Sequence, residues 1–226
     1  MKLTFLGTGA ADWPLVRTEE HSEFRRLSST LIDDCLLIDP GPQVLDALEE
    51  LGKDSKSIQY ILNTHSHPDH FSPKTCASLK ETGADLVSIK DGEVKQIGRY
   101  TVRAYKANHG TCNDTVHFII SDGVRTLFYG LDGAWLLYEE FRAIQSYTPD
   151  FAVFDATIGD LDGDFRVFEH NNLNMVLEMK KSLEPYIKQF CISHMARKLH
   201  TDHKTLCERM KPHDVLVAFD GLEVEI

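Results

Sequence analysis

The sequence predicts an α/β domain built of two β-sheets covered by helices. Three features of the chain carry that reading. Short apolar runs, too brief for helices, dominate its first part; strand-like runs fill its middle; and an amphipathic helix followed by further strands closes it.

The elements follow in order. Lys2 to Leu6, Ser29 to Ile32 and Cys35 to Ile38 are compact apolar or β-branched runs and read as strands. Gln43 to Leu51 places Val44, Leu45, Ala47, Leu48 and Leu51 at helical spacing. Ile58 to Asn63 reads as a strand and Lys74 to Thr82 as a helix. Further strands are expected at Asp85 to Ser88, Tyr100 to Lys106, Val116 to Ser121, Thr126 to Tyr129 and Phe151 to Asp155. Asn172 to Leu183 carries Leu173, Met175, Val176, Leu177 and Met179 on an apolar stripe, and Gln189 to Ser193 and Asp214 to Asp220 read as closing strands.

With 226 residues, 42% of them hydrophobic, the chain can build a substantial core, and without a repeat or a linker the expected organisation is one domain, 1–226. No run is long and apolar enough to span a bilayer and the N-terminus lacks the form of a signal peptide, so a cytoplasmic location is expected. The five cysteines are odd in number, widely spaced and form no CxxC pair, which indicates neither a disulfide framework nor a zinc knuckle. A net charge of -11 opposes attraction to extended nucleic acid.

Chemistry concentrates in Asn63-Thr64-His65-Ser66-His67-Pro68-Asp69-His70, between an apolar strand and a helix. His65 and His67, two apart, can project to one side, while the turn at Pro68 swings Asp69 and His70 toward a neighbouring point. Imidazole and carboxylate without thiolate suit Zn(II), Mn(II) or Fe(II). Further donors stand singly past later strands: His109, Asp132 and His194.

This pattern resembles the metallo-β-lactamase superfamily, whose HxHxDH motif stands here as His65, His67, Asp69 and His70, with His109, Asp132 and His194 in order behind it. The resemblance runs from Phe5-Leu6-Gly7-Thr8-Gly9 through Leu37-Ile38-Asp39-Pro40-Gly41 to Ser193-His194. It implies an αββα sandwich, two mixed β-sheets packed face to face with helices on the outer faces, and a hydrolase with two divalent metal ions. One ion would take His65, His67 and His109, the other Asp69, His70 and His194, and Asp132 would bridge them. The ions would share and activate a water, and Asp39 would support the histidine loop. Within the superfamily, Phe154-Asp155-Ala156-Thr157 and Glu169-His170-Asn171-Asn172 look like the phosphodiesterase branch that holds the cyclic phosphodiesterase of phosphonate breakdown and the tRNA 3′-processing ribonuclease. By that likeness, His170 contacts the phosphate or protonates the leaving oxygen and Asp155 orients it, alongside Asp69 in the catalytic set. Residues 10–34 lack the cysteine cluster that binds a structural zinc in the phosphonate enzyme, and the chain lacks the Gly/Pro-rich arm of the ribonuclease.

The expectation is therefore a phosphodiesterase for a small phosphodiester, cyclic or linear, with no membrane partner and with a homodimer allowed. A thioester or lactam hydrolase on the same centre and a non-catalytic metal-dependent ligand sensor are the competing readings. Plainer roles are weighed beside these. His170 could belong to a helix cap, with Asn171 or Asn172 as the cap itself. Asp155 could be a turn residue, His200 and His203 read as a solvated loop, and His21, His117 and His213 read as structural. Lys53, Lys56, Lys180 and Lys181 read as solvated faces, and Gly7 to Asp12 as a tight turn bordering the site rather than a dinucleotide loop, since Trp13-Pro14 interrupts any helix.

Overall fold

The short apolar runs pair into two mixed sheets in the computed structural model, which describes residues 1–18 and 23–226. His21 lies outside the described residues. Backbone contacts divide the chain into two compact units, Met1–Ser88 with Ala218–Ile226, and Ile89–Val217. The elements up to residue 88 are β1 (Lys2–Gly7), β2 (Ser29–Ile32), β3 (Leu36–Ile38), α1 (Val44–Glu50), β4 (Tyr60–Leu62), α2 (Pro73–Glu81) and β5 (Asp85–Leu86). Beyond it come β6 (Val94–Ile97), β7 (Tyr100–Lys106), β8 (Val116–Ser121), β9 (Thr126–Gly130), α3 (Tyr138–Tyr147), β10 (Phe151–Asp155), α4 (Leu173–Leu183), β11 (Gln189–Ser193), α5 (His203–Met210), β12 (Val215–Val217) and β13 (Glu223–Glu225). Among the described residues, no helix is long and apolar enough to cross a membrane.

The sheet of the first unit runs β13-β1-β2-β3-β4-β5. Its β13, β1, β2 and β3 pair antiparallel, whereas β3, β4 and β5 pair parallel. Parallel neighbours need a crossover, and α1 and α2 supply the two crossovers here. Their apolar residues Val44, Ala47, Leu48 and Leu79 pack on Leu6, Leu31, Leu37 and Ile61 of the strands. Residues 11–12 form a turn without a following helix, and just before it Thr8 N and Gly9 N both donate to the Arg26 carbonyl.

In the second unit the order is β12-β11-β10-β9-β8-β7-β6, parallel from β12 to β9 and antiparallel from β9 to β6. All five residues of β10 are buried, which is why Phe151 to Asp155 reads as a continuous run rather than an alternating one. Ile144 of α3, Leu173 and Val176 of α4, and Leu206 and Met210 of α5 pack on Ile119, Phe128, Phe154, Phe190 and Ile192.

Five strands, β2, β7, β8, β10 and β11, match the sequence reading residue for residue. The strand expected over Ile58 to Asn63 is shortened to β4 because Ser55–Ser57 forms a single 3-10 turn capped by Asp54. Asp214 to Asp220 keeps only β12 as strand. Four elements escaped the sequence reading: β6, α3, α5 and β13. The helices among them show why, since α5 buries only Leu206 and Met210 and presents little apolar stripe to read.

The expected solvated loop around His200 and His203 is corrected. His200 Nε2 lies 2.5 Å from the Ala156 carbonyl, and His203 opens α5, which Asp202 caps by accepting from Thr205 N. Lys53 is likewise no free solvated group, for it pairs with Asp34 at 3.0 Å and with Glu223.

Gly159 allows the segment after β10 to pass close to the stretch before α5. Its φ is +62°, and a Cβ there would lie 2.2 Å from the Leu199 carbonyl oxygen. Gly159→Ala should therefore lose at least about 2 kcal/mol, combining left-handed backbone strain with overpacking. Chemical denaturation checks this, and an unchanged midpoint would contradict the close approach.

His117, a structural histidine by its sequence context, is fully buried in β8 with Nδ1 2.5 Å from Glu140 Oε1; Glu140 Oε2 in turn accepts from Leu137 N at the start of α3. Burial opposes the charged imidazole, but the Glu140 carboxylate outweighs it and holds the pKa above the ordinary 6.5. A raised pKa in the folded state means stability that is complete below pH 6.5 and lost as pH rises through the raised value. Melting temperature should thus fall as pH rises above 6.5 more steeply for the wild type than for Glu140→Gln. Equal slopes would sink this account of the pair.

Candidate metal centre

In the first unit the donors stand at the carboxyl ends of parallel strands, where crossover topology leaves a crevice for ligands. Asp39 follows β3 and turns the chain with φ +59°. Its Oδ1 accepts from Thr64 N at 2.7 Å and from Thr64 Oγ1 at 2.9 Å, just past β4. Its Oδ2 lies 2.8 Å from His70 Nδ1, and Thr64 Oγ1 lies 3.0 Å from His65 Nδ1. Because the Thr64 hydroxyl donates to the carboxylate, it accepts from His65 Nδ1–H. Both rings are thereby held by Nδ1, which leaves Nε2 of each as the nitrogen that could ligate a metal.

The rings of His65 and His67 have centroids 4.6 Å apart, and those of His65 and His70 4.4 Å. Asp69 Oδ2 lies 3.5 Å from His70 Nε2. His65, Asp69 and His70 are buried and His67 is half-buried. All four members of the motif thus lie close together in this unit.

The second unit repeats the wiring with different residues. Asp155, at the end of β10 and fully buried, has Oδ2 2.7 Å from His170 Nδ1. Thr157 Oγ1 donates to the same oxygen at 3.1 Å and lies 2.7 Å from His194 Nδ1. The parallel register that sets Asp155 beside Ser193 is what brings His194 to this carboxylate. His109 Nδ1 donates to the Glu169 carbonyl at 3.2 Å. Asp132, past β9, has Oδ1 3.0 Å from His194 Nε2 and Oδ2 4.0 Å from His109 Nε2. Donor atoms of Asp132, Asp155, His170 and His194 all lie within 4.8 Å of one another, as do those of His109, Glu169 and His170.

His170 is not the cap of α4. Asn172 is, its side chain accepting from Met175 N at 2.8 Å. Burial works against protonating His170, yet Asp155 outweighs it and holds the imidazole pKa above its ordinary value. For Asp155 burial raises the pKa, but His170 and His194 outweigh it and hold the carboxyl below its ordinary range.

The donor set fits divalent metal. It consists of imidazole nitrogens and carboxylate oxygens with no cysteine sulfur, and four of its imidazoles are fixed by a hydrogen bond at Nδ1. Asp39, Asp132 and His194 all hold left-handed backbone, at φ +59°, +59° and +62°, which costs a residue with a Cβ about 1–2 kcal/mol each. Glycine would relieve that strain and lose the donor. Thr64, Thr157 and Glu169 are the supporting residues that the sequence reading gave no role. Their position next to a histidine, or two residues past an aspartate, was the available signal.

A family model described as the metallo-beta-lactamase superfamily matches residues 24–72. None of the curated proteins matches by sequence. Among solved structures, zinc-bound PqqB from Methylobacterium extorquens has a TM-score of 0.74 at 16% identity, covering 100% of both chains. A diphosphatase from the PhnP family has a TM-score of 0.72 at 18% identity, covering 100% of this chain and 96% of the other. Human short-form tRNase Z has a TM-score of 0.72 at 16% identity, covering 100% of this chain and 99% of the other. At these identities the likeness establishes the αββα fold class.

Proposed function

We propose that this chain, whose residues 24–72 match the family model of the metallo-beta-lactamase superfamily, is a metal-dependent phosphodiesterase acting on a small phosphodiester, cyclic or linear. The single observation that carries the reading is the repeated carboxylate wiring. Asp39 anchors His70 directly and His65 through Thr64, and Asp155 anchors His170 directly and His194 through Thr157.

The proposed ligands are His65, His67 and His109 for one ion, Asp69, His70 and His194 for the other, and Asp132 shared by both, with 1–226 as one functional domain. Zinc and manganese suit the donors best and iron is compatible; the zinc-bound relative supports that choice. When bound, two such ions lower the pKa of a water toward about 7 and neutralise charge on phosphorus-bound oxygens.

The chain's own residues do the rest. His170 holds a proton by virtue of Asp155, and with Nδ1 committed to that carboxylate it presents Nε2–H to a leaving oxygen. Asp155 favours the doubly protonated ring and fixes its orientation while also supporting His194 through Thr157. The net charge of -11 disfavours extended nucleic acid and supports a small substrate. The five cysteines, odd in number and without a CxxC pair, support a reducing, cytoplasmic setting.

The test compares bis-p-nitrophenyl phosphate, a thioester and a chromogenic lactam after chelation and metal restoration. Metal-dependent turnover greatest on the phosphodiester is expected. Preference for either acyl substrate would replace the phosphodiesterase reading, and a metal-replete protein inert to all three would replace it with a ligand sensor.

A further inference from the structure

Asn171 takes no part in the chemistry described above, nor does it cap α4, yet it is buried at 3% exposure between His170 and the cap residue Asn172. Its side-chain Nδ2 donates to the Gly133 carbonyl at 2.8 Å, and its backbone N–H donates to Asp155 Oδ1 at 3.2 Å. Its own carbonyl accepts from Ile158 N at 3.0 Å. One residue thus joins the peptide that follows Asp132 to the carboxylate that holds His170.

That peptide needs outside support, because Asp132 has left-handed backbone at φ +59°. It is gripped at three points. Asn171 takes the Gly133 carbonyl, Ala134 N donates to the Asn108 carbonyl at 3.0 Å, and the His117 ring packs so closely on Gly133 that a Cβ there would lie 2.6 Å from its Cε1. Asn171 Oδ1, by contrast, is buried without a hydrogen-bond partner among the described residues. An orphaned acceptor is costly, and an apolar side chain of that size would avoid it. The Nδ2 donor is what the position retains.

We propose that Asn171 is a positioning residue whose amide holds the Asp132–Gly133 turn against the Asp155–His170 pair, keeping the Asp132 carboxylate and the His170 imidazole at one fixed spacing. This rests on the reading of Asp132 as a metal ligand and His170 as a proton donor. The amide itself touches neither metal nor substrate and acts through these two side chains.

The test uses Asn171→Ala and Asn171→Ser beside the wild type. Zn(II) is titrated into metal-stripped protein against a chromophoric chelator, thermal unfolding of the stripped forms is recorded, and kcat and KM for bis-p-nitrophenyl phosphate are measured after reloading. Asn171→Ala is expected to lower Zn(II) affinity about 10- to 100-fold, the usual effect of losing a supporting partner, and to lower kcat more than it raises KM. Asn171→Ser, which keeps a shorter donor, should recover part of both losses, and it carries the test by itself if the alanine variant does not fold. A purely structural role would lower the melting temperature of the stripped variants and leave their Zn(II) affinity unchanged, and that result overturns the proposal. Wild-type protein that takes up no Zn(II) overturns the metal reading and this proposal with it. Wild type and variants that bind equally well overturn the positioning role alone.

Discussion

Replacing Asp132 with alanine is expected to remove turnover and to cut metal affinity by more than the roughly 100-fold that loss of a supporting partner costs. The geometry places this carboxylate at the focus of the second unit's donors. Its two oxygens lie 3.0 Å from His194 Nε2 and 4.0 Å from His109 Nε2, and the residue is 2% exposed. With metal absent, the side chain brings negative charge close to Asp155, whose carboxyl it pushes up. Its removal should therefore leave the stripped protein folded, with a melting temperature near that of the wild type. Metal content by elemental analysis, unfolding of the stripped form and turnover of the reloaded form together decide the matter. Full metal occupancy in Asp132→Ala would remove the residue from the ligand set.

The second large effect is expected at His170. Alanine there should lower kcat about 10²- to 10⁴-fold for a diester with a poor alkoxide leaving group, as loss of a general acid does. It should spare metal content. A p-nitrophenolate leaving group needs little protonation, so the same variant should lose far less on it, and the contrast separates proton donation from a mere phosphate contact. Equal losses on both substrates would assign His170 to binding. Asp155→Asn is a poorer probe, because Asp155 supports His194 through Thr157 as well as His170 directly. Any change in rate would be mixed with a change at a proposed ligand.

Much of this was legible along the chain because it is local. The strands β2, β7, β8, β10 and β11 announce themselves by apolar and β-branched runs, and Asn172 marks the start of α4 by its residue type. The residues His65, His67, Asp69 and His70 sit within six positions, so their chemistry can be read without knowing the fold. α3 was harder, since its first turn carries Glu139 and Glu140 and its buried positions are few. Glu140 in particular reads as surface charge, yet it is fully buried against His117, a pairing across 23 positions of sequence.

By itself, then, the amino-acid order determined which donors exist, that they are imidazole and carboxylate, and that they stand just past strands. Only the tertiary structure decided which carboxylate lies beneath which imidazole. Asp39 meets His70 from 31 positions away, and Thr157 meets His194 from 37. The physical reason is that strand pairing brings distant segments level with one another, as the register of Asp155 with Ser193 does. A ring's orientation is set by the partner at its other nitrogen, and that partner is a property of packing rather than of local order.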